Sequence, residues 1–368
     1  MLSSAEEVCS IDDLLSKILA LLPLGSLQVF KSVSKRWLSL ISDPAFTALR
    51  SRVPNADHPK GLFFQLESAS SVFVYLSLDS CCITTISFPY PTNSNYIMEV
   101  WQSCNGLLLC THGPDKLYVY NPTTNHSKLL PLPHLWAPIW YIKPLAMAFD
   151  PTLSPHYKIL YARQDYITRL VHLQIYSSEA GIWRPCAQTF SRTSFIAFDS
   201  RAVYWRDAIH WLSRIHVFHF SLKDMDNPLV EDHRTLYGIR YGGHDKLLVS
   251  RDCLLLVKML PHQIMNVYES INHYSGWSLK YQVNLEPAPA PPLVDFNLLS
   301  LVIGETEEDS FLVLQVTGTG TRSCSMLLRF NIISKTFHHL CDLTQFHLRY
   351  TLKPYSSSFF FTPSLVAV

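Results

Sequence analysis

The sequence predicts a protein of the α+β class with two domains: a small helical module followed by a large all-β domain. Residues 11–46 contain 19 apolar residues in 36 positions, spaced as in helices. From about residue 61 onward, short runs of Val, Ile, Leu, Tyr and Phe alternate with turn residues. The 368 residues suffice for both units, because all-β domains commonly reach about 250 residues. We therefore expect domains at 1–52 and 53–368.

Three short helices are expected in the N-terminal module. The first begins after Ser10, whose hydroxyl can cap the helix together with Asp13, and it stops at Pro23. The second is opened by Ser26, and the third is opened by Ser34 and ends at the following Ser-Asp-Pro. Apolar residues cover more of the first helix than a single buried stripe requires. One face can therefore pack internally while another docks against a partner.

Short motifs follow one another through these helices in a characteristic order: Asp12-Asp13-Leu14-Leu15, Ile18-Leu19, Leu22-Pro23, Ser26-Leu27, Phe30-Lys31, Val33-Ser34-Lys35, Trp37 and Leu40-Ile41-Ser42-Asp43-Pro44. This order resembles the F-box, through which ubiquitin-ligase substrate receptors bind a Skp-type adaptor, and plant F-box proteins are especially similar. Many F-boxes open with Leu-Pro, where this chain has Ser10-Ile11. The competing interpretation is that the helices only cap the larger domain.

The resemblance also implies which side chains contact the adaptor. The predicted adaptor-binding residues are Leu14, Leu15, Ile18, Leu22, Pro23, Leu27, Phe30, Val33 and Trp37. Most of them are apolar, as expected for a contact that is buried on binding.

A repeated unit of strands defines the large domain. Each copy contains a strand that ends in an aromatic anchor, and the anchors are Tyr75, Tyr120, Tyr176, Phe220, Tyr268 and Phe330. Their separations of 45, 56, 44, 48 and 62 residues are close to the period of about 50 for kelch-type propeller blades. Because a single blade cannot bury both faces, blades stack around an axis, and six anchors predict six blades. The C-terminal run with Phe359-Phe360-Phe361 is expected to close the ring against the first blade.

Three further segments of the large domain resemble the F-box-associated propeller domains of plants. They are SCNGLLLC at 103–110, YNPTT at 120–124 with Leu-Pro-Leu-Pro at 130–133, and FTPSL at 361–365. Full kelch repeats carry a Gly-Gly pair in each blade, whereas this chain has only Gly242-Gly243. A propeller is thus a firmer expectation than a kelch propeller, and another all-β fold is the alternative.

The sequence predicts no catalytic, cofactor-binding or metal-binding residues. It lacks the phosphate-binding G-x-x-x-x-G-K-[ST], the zinc-binding H-E-x-x-H and the nucleophile motif G-x-S-x-G. His216 and His219 stand three apart on a predicted strand and so point to opposite faces, and the adjacent His338 and His339 diverge for the same reason. Asn105-Gly106 is interpreted as a tight turn rather than as a point of ligand approach.

Target recognition is expected at loops on one end of the propeller, because such loops project from a rigid scaffold. The connection at 134–141 is unusually aromatic, which makes Trp136, Trp140 and Tyr141 candidate target-binding residues. The alternative is that these aromatic side chains fill a core between blades.

Charge and cysteine content limit the expected partners and compartment. The 30 Lys and Arg residues nearly balance 29 Asp and Glu residues, whereas nucleic-acid binders normally show a basic excess. The nine cysteines include no C-x-x-C pair, the first residues are acidic rather than basic, and no apolar run reaches the length of a membrane span. We expect a cytoplasmic or nuclear protein with no nucleic-acid or membrane partner.

Together the resemblances imply a non-catalytic substrate-recognition subunit of an SCF-type ubiquitin ligase. The F-box would bind a Skp-type adaptor and through it a cullin scaffold, while the propeller holds an unknown target protein near the conjugating enzyme. The alternative is a propeller that binds a small molecule or has a cryptic activity, with the F-box controlling its turnover. Several carboxylates, His or Tyr converging in the central channel would favour that alternative.

Overall fold

A helical module precedes six four-stranded sheets along the chain. The structure, a computed structural model, describes residues 10–53, 61–65, 73–78, 83–86, 98–134, 145–165, 167–168, 170–191, 202–212, 217–222, 230–233, 245–261, 263–271, 276–285, 294–318, 325–343, 358–366 and 368. Within these ranges, no helix is both long and apolar enough to cross a membrane. The helices end at Ser51 and the strands begin at Gly61, so the division between residues 52 and 53 stays a prediction.

The described part of the helical module has four helices rather than the expected three. They are α1 (Asp12–Ala20), α2 (Leu24–Phe30), α3 (Lys35–Ser42) and α4 (Pro44–Ser51). The Asp43 carboxylate accepts a hydrogen bond of 2.7 Å from the Ala45 amide, and Pro44 occupies the first helical position. The Ser-Asp-Pro sequence that ends α3 therefore also starts α4.

Of the three predicted helix starts, that of α3 is confirmed. The Ser34 hydroxyl accepts a hydrogen bond of 3.1 Å from the amide of Trp37. The predicted start of α2 at Ser26 is wrong, because the helix begins at Leu24 directly after Pro23. Proline fixes its own φ and leaves the following residue free to enter the helix, so no side-chain cap is required there.

The predicted cap of α1 is also wrong. Its N-cap is Ile11, which has no side-chain cap hydrogen bond, so neither Ser10 nor Asp13 closes the helix as expected. Arg36 of α3 instead donates to the carbonyl oxygen of Ser10 at 2.9 Å and to the carboxylate of Asp12 at 2.6 Å. The start of α1 is thus held by a neighbouring helix rather than by its own cap.

Each sheet is an antiparallel blade built from strands that are consecutive in the chain, apart from the first. The first three blades contain β1 (Gly61–Gln65), β2 (Phe73–Ser77) and β3 (Ile83–Ile86); β4 (Met98–Cys104), β5 (Leu107–His112), β6 (Lys116–Asn121) and β7 (His126–Leu130); and β8 (Leu145–Ala148), β9 (Lys158–Gln164), β10 (Leu170–Ser177) and β11 (Ile182–Ser191). The last three contain β12 (Val203–Trp205), β13 (Ala208–Leu212), β14 (Val217–Ser221) and β15 (Val230–His233); β16 (Lys246–Ser250), β17 (Cys253–Leu260), β18 (Ile264–Ile271) and β19 (Gly276–Asn284); and β20 (Val294–Val302), β21 (Phe311–Gly318), β22 (Ser325–Asn331) and β23 (Phe337–Asp342).

A final strand, β24 (Ser358–Phe361), closes the ring. It pairs antiparallel with β1, with Phe361 opposite Gly61 and Phe359 opposite Phe63, and so becomes the innermost strand of the first blade. The innermost strands β24, β4, β8, β12, β16 and β20 each contact the next in that order, and β20 contacts β24. The predictions of a six-bladed propeller and of its closure by the C-terminal run are confirmed.

The core of the propeller lies between blades. Six clusters of buried apolar side chains each join one pair of neighbouring blades. All six anchor aromatics lie in the third strand from the axis: Tyr75 in β2, Tyr120 in β6, Tyr176 in β10, Phe220 in β14, Tyr268 in β18 and Phe330 in β22. The repeat seen in the sequence is therefore the blade itself.

Candidate functional site

Helix α1 has one buried and one exposed apolar face. Leu15 and Leu19 are 3% and 1% exposed, whereas Leu14, Ile18 and the helix-ending Leu21 are 40%, 48% and 69% exposed. The exposed residues are spaced by four and three positions, so they lie on the same side of the helix. The expectation that one face packs internally is confirmed, and docking of the exposed face against a partner stays a prediction.

The exposed apolar surface continues beyond α1. Val29 of α2, Val33 after it and Leu38 of α3 are also exposed. Seven of the 13 large hydrophobic side chains exposed in the described residues fall between Ile11 and Leu38. Such a concentration in so short a segment is typical of an interaction site, since exposed apolar residues elsewhere are scattered singly.

The predicted adaptor-binding residues differ in exposure. Leu14, Ile18, Pro23 and Val33 are exposed, Leu22, Phe30 and Trp37 are half-buried, and Leu15 and Leu27 are buried. The rings of Phe30 and Trp37 pack edge to face with centroids 5.3 Å apart, which braces α2 against α3. Leu15 and Leu27 support the face from beneath. That the face binds an adaptor stays a prediction.

Sequence reasoning missed part of this face. Leu21, Val29 and Leu38 are exposed but were not among the predicted residues. The spacing of Leu21 from Leu14 and Ile18 was a signal that could have identified it, because residues three, four and seven apart share a helix face.

Arg50 of α4 fixes the loop beside the exposed face. Its buried guanidinium donates hydrogen bonds to the carbonyl oxygens of Ala20 at 3.0 Å and Leu22 at 2.5 Å. These carbonyls lie at the C-terminal end of α1, where the helix itself supplies no partner. The turn at Leu22-Pro23 is thus held by a helix that the sequence did not predict.

The C-terminal residues 362–366, which we call the tail segment, pack against the second blade. The side-chain amide of Asn121 donates to the carbonyl oxygens of Ser364 at 3.0 Å and Val366 at 2.7 Å. Its side-chain oxygen accepts from the amides of Thr123 at 2.9 Å and Thr124 at 3.3 Å. Asn121 is completely buried, so this one side chain joins the β6–β7 turn to the tail segment.

The β4–β5 turn lies beside the same segment. Asn105 and Gly106 have φ values of 44° and 90°, which confirms the predicted tight turn. A β-carbon at position 106 would overlap the side chain of Ser364 and approach the carbonyl oxygen of Thr362. The turn is therefore also a point of close approach, at which the tail segment packs against Gly106. The three segments that resembled the plant propeller domains meet here.

The tail segment also reaches the helical module. Leu365 is buried in the same apolar cluster as Leu15, Leu19, Leu27 and Phe46. Two long hydrogen bonds of 3.5 Å add to this contact, from Gln28 to the Thr123 carbonyl and from Arg52 to the Thr152 carbonyl. The module thus lies on the propeller face that carries the β4–β5, β6–β7 and β8–β9 connections, which we call the module face.

The described histidines that the sequence analysis considered as metal ligands make ordinary contacts. His219 is buried and stacks on His210 with ring centroids 5.8 Å apart, and His339 contacts Asp342 at 2.9 Å. Among the described residues, no group of three or more His, Cys, Asp or Glu side chains is placed to hold a metal ion. The predicted residues His216, Gly242, Gly243, Trp136, Trp140 and Tyr141 lie outside the described ranges.

The innermost strands give the alternative function no specific support. Among the side chains that the structure describes on β4, β8, β12, β16, β20 and β24, Glu99 carries the one carboxylate and no His is present. The Tyr204 hydroxyl contacts the Asp207 carboxylate at 3.2 Å, and burial together with that carboxylate raises the pKa of the tyrosine. A tyrosine held protonated in this way is a poor general base.

Comparison with known proteins identifies both domains. Residues 12–49 match the F-box domain family, and residues 68–368 match the F-box associated beta propeller domain family. F-box protein At5g07610 of Arabidopsis thaliana is 32% identical across 92% of this chain and 87% of that protein. F-box protein At5g49610 of the same plant is 27% identical across 74% of this chain and 79% of that protein.

Solved structures are more distant. A manganese-bound oligogalacturonate lyase matches with a TM-score of 0.41 and 10% identity over 77% of this chain and 79% of that chain, which carries no argument about activity. The two family matches and the relative that is 32% identical over most of both chains show the family. The chain belongs to the plant F-box proteins that carry an F-box-associated β-propeller domain.

Proposed function

We propose that the chain is the substrate-recognition subunit of an SCF-type ubiquitin ligase, in which the F-box binds a Skp-type adaptor and through it a cullin scaffold. The observation that carries the proposal is the exposed apolar face formed by Leu14, Ile18 and Leu21 on a module of the F-box family. Burying one large apolar side chain contributes about 1.5–3 kcal/mol, so a partner that covers this face gains substantial binding energy.

The proposed contribution of the chain is proximity rather than bond chemistry. A propeller that holds a target protein beside the ubiquitin-charged conjugating enzyme raises the effective concentration of the target's lysines. This role needs a firm adaptor contact and a recognition surface, and it needs no catalytic group in the propeller.

We place target recognition on the propeller face opposite the module face, which we call the distal face. Strand β7 runs away from the β6–β7 turn and β8 runs toward the β8–β9 connection, so β7 ends and β8 begins at the distal face. The loop that joins them carries Trp136, Trp140 and Tyr141. These residues lie outside the described ranges, and their role in target binding stays a prediction.

The test is binding of a purified Skp-type adaptor to the full chain with one charge introduced at a time. Ile18 of α1 and Ile182 of β11 are 48% and 49% exposed, so Ile18→Asp and Ile182→Asp introduce a charge at positions of matched exposure. We expect Ile18→Asp to weaken binding by more than about tenfold, because an unpaired charge is costly in a desolvated contact, and Ile182→Asp to bind like the wild type. Unchanged binding by Ile18→Asp would overturn the proposal.

A further inference from the structure

We infer that the tail segment is a clasp, which makes the F-box and the propeller a single unit and on which the adaptor-binding form of the F-box depends. The inference concerns residues that are not part of the exposed apolar face itself, and it rests on the proposed function only where it concerns adaptor binding.

The first argument is that the F-box core is incomplete without a residue from the other end of the chain. Leu365 is buried among Leu15, Leu19, Leu27 and Phe46, which come from α1, α2 and α4. Leu15 and Leu19 form the inner face of the same helix that exposes Leu14 and Ile18. Removing Leu365 would leave a cavity directly beneath the proposed adaptor surface.

The second argument is that the tail segment is held on the propeller by buried polar contacts. Asn121 donates to the carbonyl oxygens of Ser364 and Val366, and the amide of Ser364 donates to the Thr123 hydroxyl at 3.1 Å. Val366 belongs to the apolar cluster between the second and third blades. The segment is therefore anchored in the propeller on both sides of the leucine that enters the F-box.

The third argument is that the tail segment directly continues the strand that closes the ring. β24 ends at Phe361 and the tail segment begins at the next residue. Closure of the propeller by β24 therefore also places Leu365 in the F-box core. The two domains consequently become ordered together. An F-box connected only through residues 54–60 would have no such coupling.

The test uses a substitution that removes the hydrogen bonds that Asn121 donates to the tail segment. The substitution keeps the hydrogen bonds that Asn121 accepts from the β6–β7 turn. Asn121→Asp keeps the side-chain oxygen that accepts from the amides of Thr123 and Thr124. It replaces the amide donor by an oxygen that faces the carbonyls of Ser364 and Val366, and an ionised carboxylate cannot donate to either of them. The contact becomes repulsive with almost no change of shape.

The sixth blade offers a matched control. Asn331 also ends the third strand of its blade, and its side-chain oxygen accepts from the amides of Ile333 at 3.0 Å and Ser334 at 2.8 Å. Its amide group donates to the carbonyl oxygen of Glu308 at 2.6 Å rather than to the tail segment. Asn331→Asp therefore makes the same chemical change at an asparagine that bonds within the sixth blade, although Asn331 is half-buried and Asn121 is completely buried.

Hydrogen exchange of the full-length variants is the primary measurement, because it does not require an adaptor. We expect Asn121→Asp to speed amide exchange in α1, α4 and the tail segment by about tenfold or more, and Asn331→Asp to leave these amides as in the wild type. Leu365→Ala should speed exchange in α1 and α4 without altering the β6–β7 turn. Wild-type exchange of α1 and α4 in both Asn121→Asp and Leu365→Ala would overturn the clasp.

Adaptor binding is the second measurement, and it separates the two proposals. If the wild type binds, Asn121→Asp should bind more weakly than Asn331→Asp, and equal binding would contradict a coupling to the adaptor surface. If the wild type fails to bind, the proposed function fails while the exchange result still decides the clasp.

Discussion

Gly106 lies so close to Ser364 that any β-carbon at position 106 would overlap the serine side chain. The glycine has a φ of 90°, in a region that side-chain-bearing residues rarely adopt. Two independent requirements therefore fall on one residue: the backbone conformation of the β4–β5 turn and room for the tail segment.

Gly106→Ala should lower the free energy of unfolding by about 2–4 kcal/mol, the sum of a strained backbone and an overpacked contact. Gly181→Ala is the control, because Gly181 has a φ of 70° but open space around its missing β-carbon. That variant should lose only the backbone contribution of about 1–2 kcal/mol. Urea unfolding of both variants measures the difference, and equal losses would mean that the tail segment does not crowd Gly106.

Arg50→Met should destabilise the F-box by about 1–3 kcal/mol, because it leaves the carbonyl oxygens of Ala20 and Leu22 buried without their donor. Arg52→Met is the control, since Arg52 is exposed and makes only a 3.5 Å contact to Thr152. It should change stability by less than about 0.5 kcal/mol.

Hydrogen exchange in α1 and α2 of the full chain would measure the effect of the arginine substitutions. Faster exchange in Arg50→Met than in Arg52→Met is the expected result. If the two variants exchange alike, the guanidinium of Arg50 does not hold the end of α1.

The propeller could be predicted from the sequence because its signals are local and repeated. Tyr176 and Phe330 each stand near the end of a strand with an aromatic partner seven residues later, and both pairs are in contact, Tyr176 with Trp183 at 5.5 Å and Phe330 with Phe337 at 4.6 Å. Six copies of such a unit fix the blade count, since each blade buries its faces only against its neighbours.

The details that escaped prediction depend on contacts between distant parts of the chain. No local pattern indicates that Arg36 contacts the start of α1 or that Leu365 enters the F-box core. The motifs around Gly106, Asn121 and Ser364 were visible in the sequence. That they contact one another could not be predicted, because closure of the ring brings them together. The fourth helix was missed for another reason: Asp43-Pro44 is both a stop and a start signal.

The buried pair of Lys258 and Asp245 should behave as a coupled unit. Both side chains are 2% exposed, and the ammonium nitrogen lies 4.0 Å from the carboxylate. Either Lys258→Met or Asp245→Asn removes one charge and leaves the other buried, which should cost about 3–5 kcal/mol. The double variant should recover most of that loss, because no uncompensated charge remains. A double-mutant cycle by urea unfolding measures the coupling, and additive losses would contradict it.

The same lysine should make stability depend on pH. Burial lowers the pKa of Lys258 below its ordinary value of 10.5, while Asp245 opposes that shift. Between the lowered pKa and 10.5 the unfolded chain binds more protons than the folded one, so the free energy of unfolding rises with pH. We expect the free energy of unfolding of the wild type to rise relative to that of the double variant as pH approaches 10.5. Above pH 10.5 we expect no further rise. A difference independent of pH would mean that the lysine titrates normally in the folded protein.

Cys104 provides the opposite sign of pH dependence. Burial raises the pKa of its thiol from 9.0 to about 12. As pH rises from 9.0 toward 12, the unfolded chain loses the proton first, so this residue should lower the free energy of unfolding across that window. Because the thiolate is the reactive form, Cys104 should also resist alkylation at pH 8 until the protein unfolds. Urea unfolding of the wild type and of Cys104→Ala at several pH values above 9.0 measures the first effect, and mass spectrometry of the alkylated wild-type peptide at pH 8 measures the second. Rapid alkylation in the folded protein would show that the site opens without global unfolding.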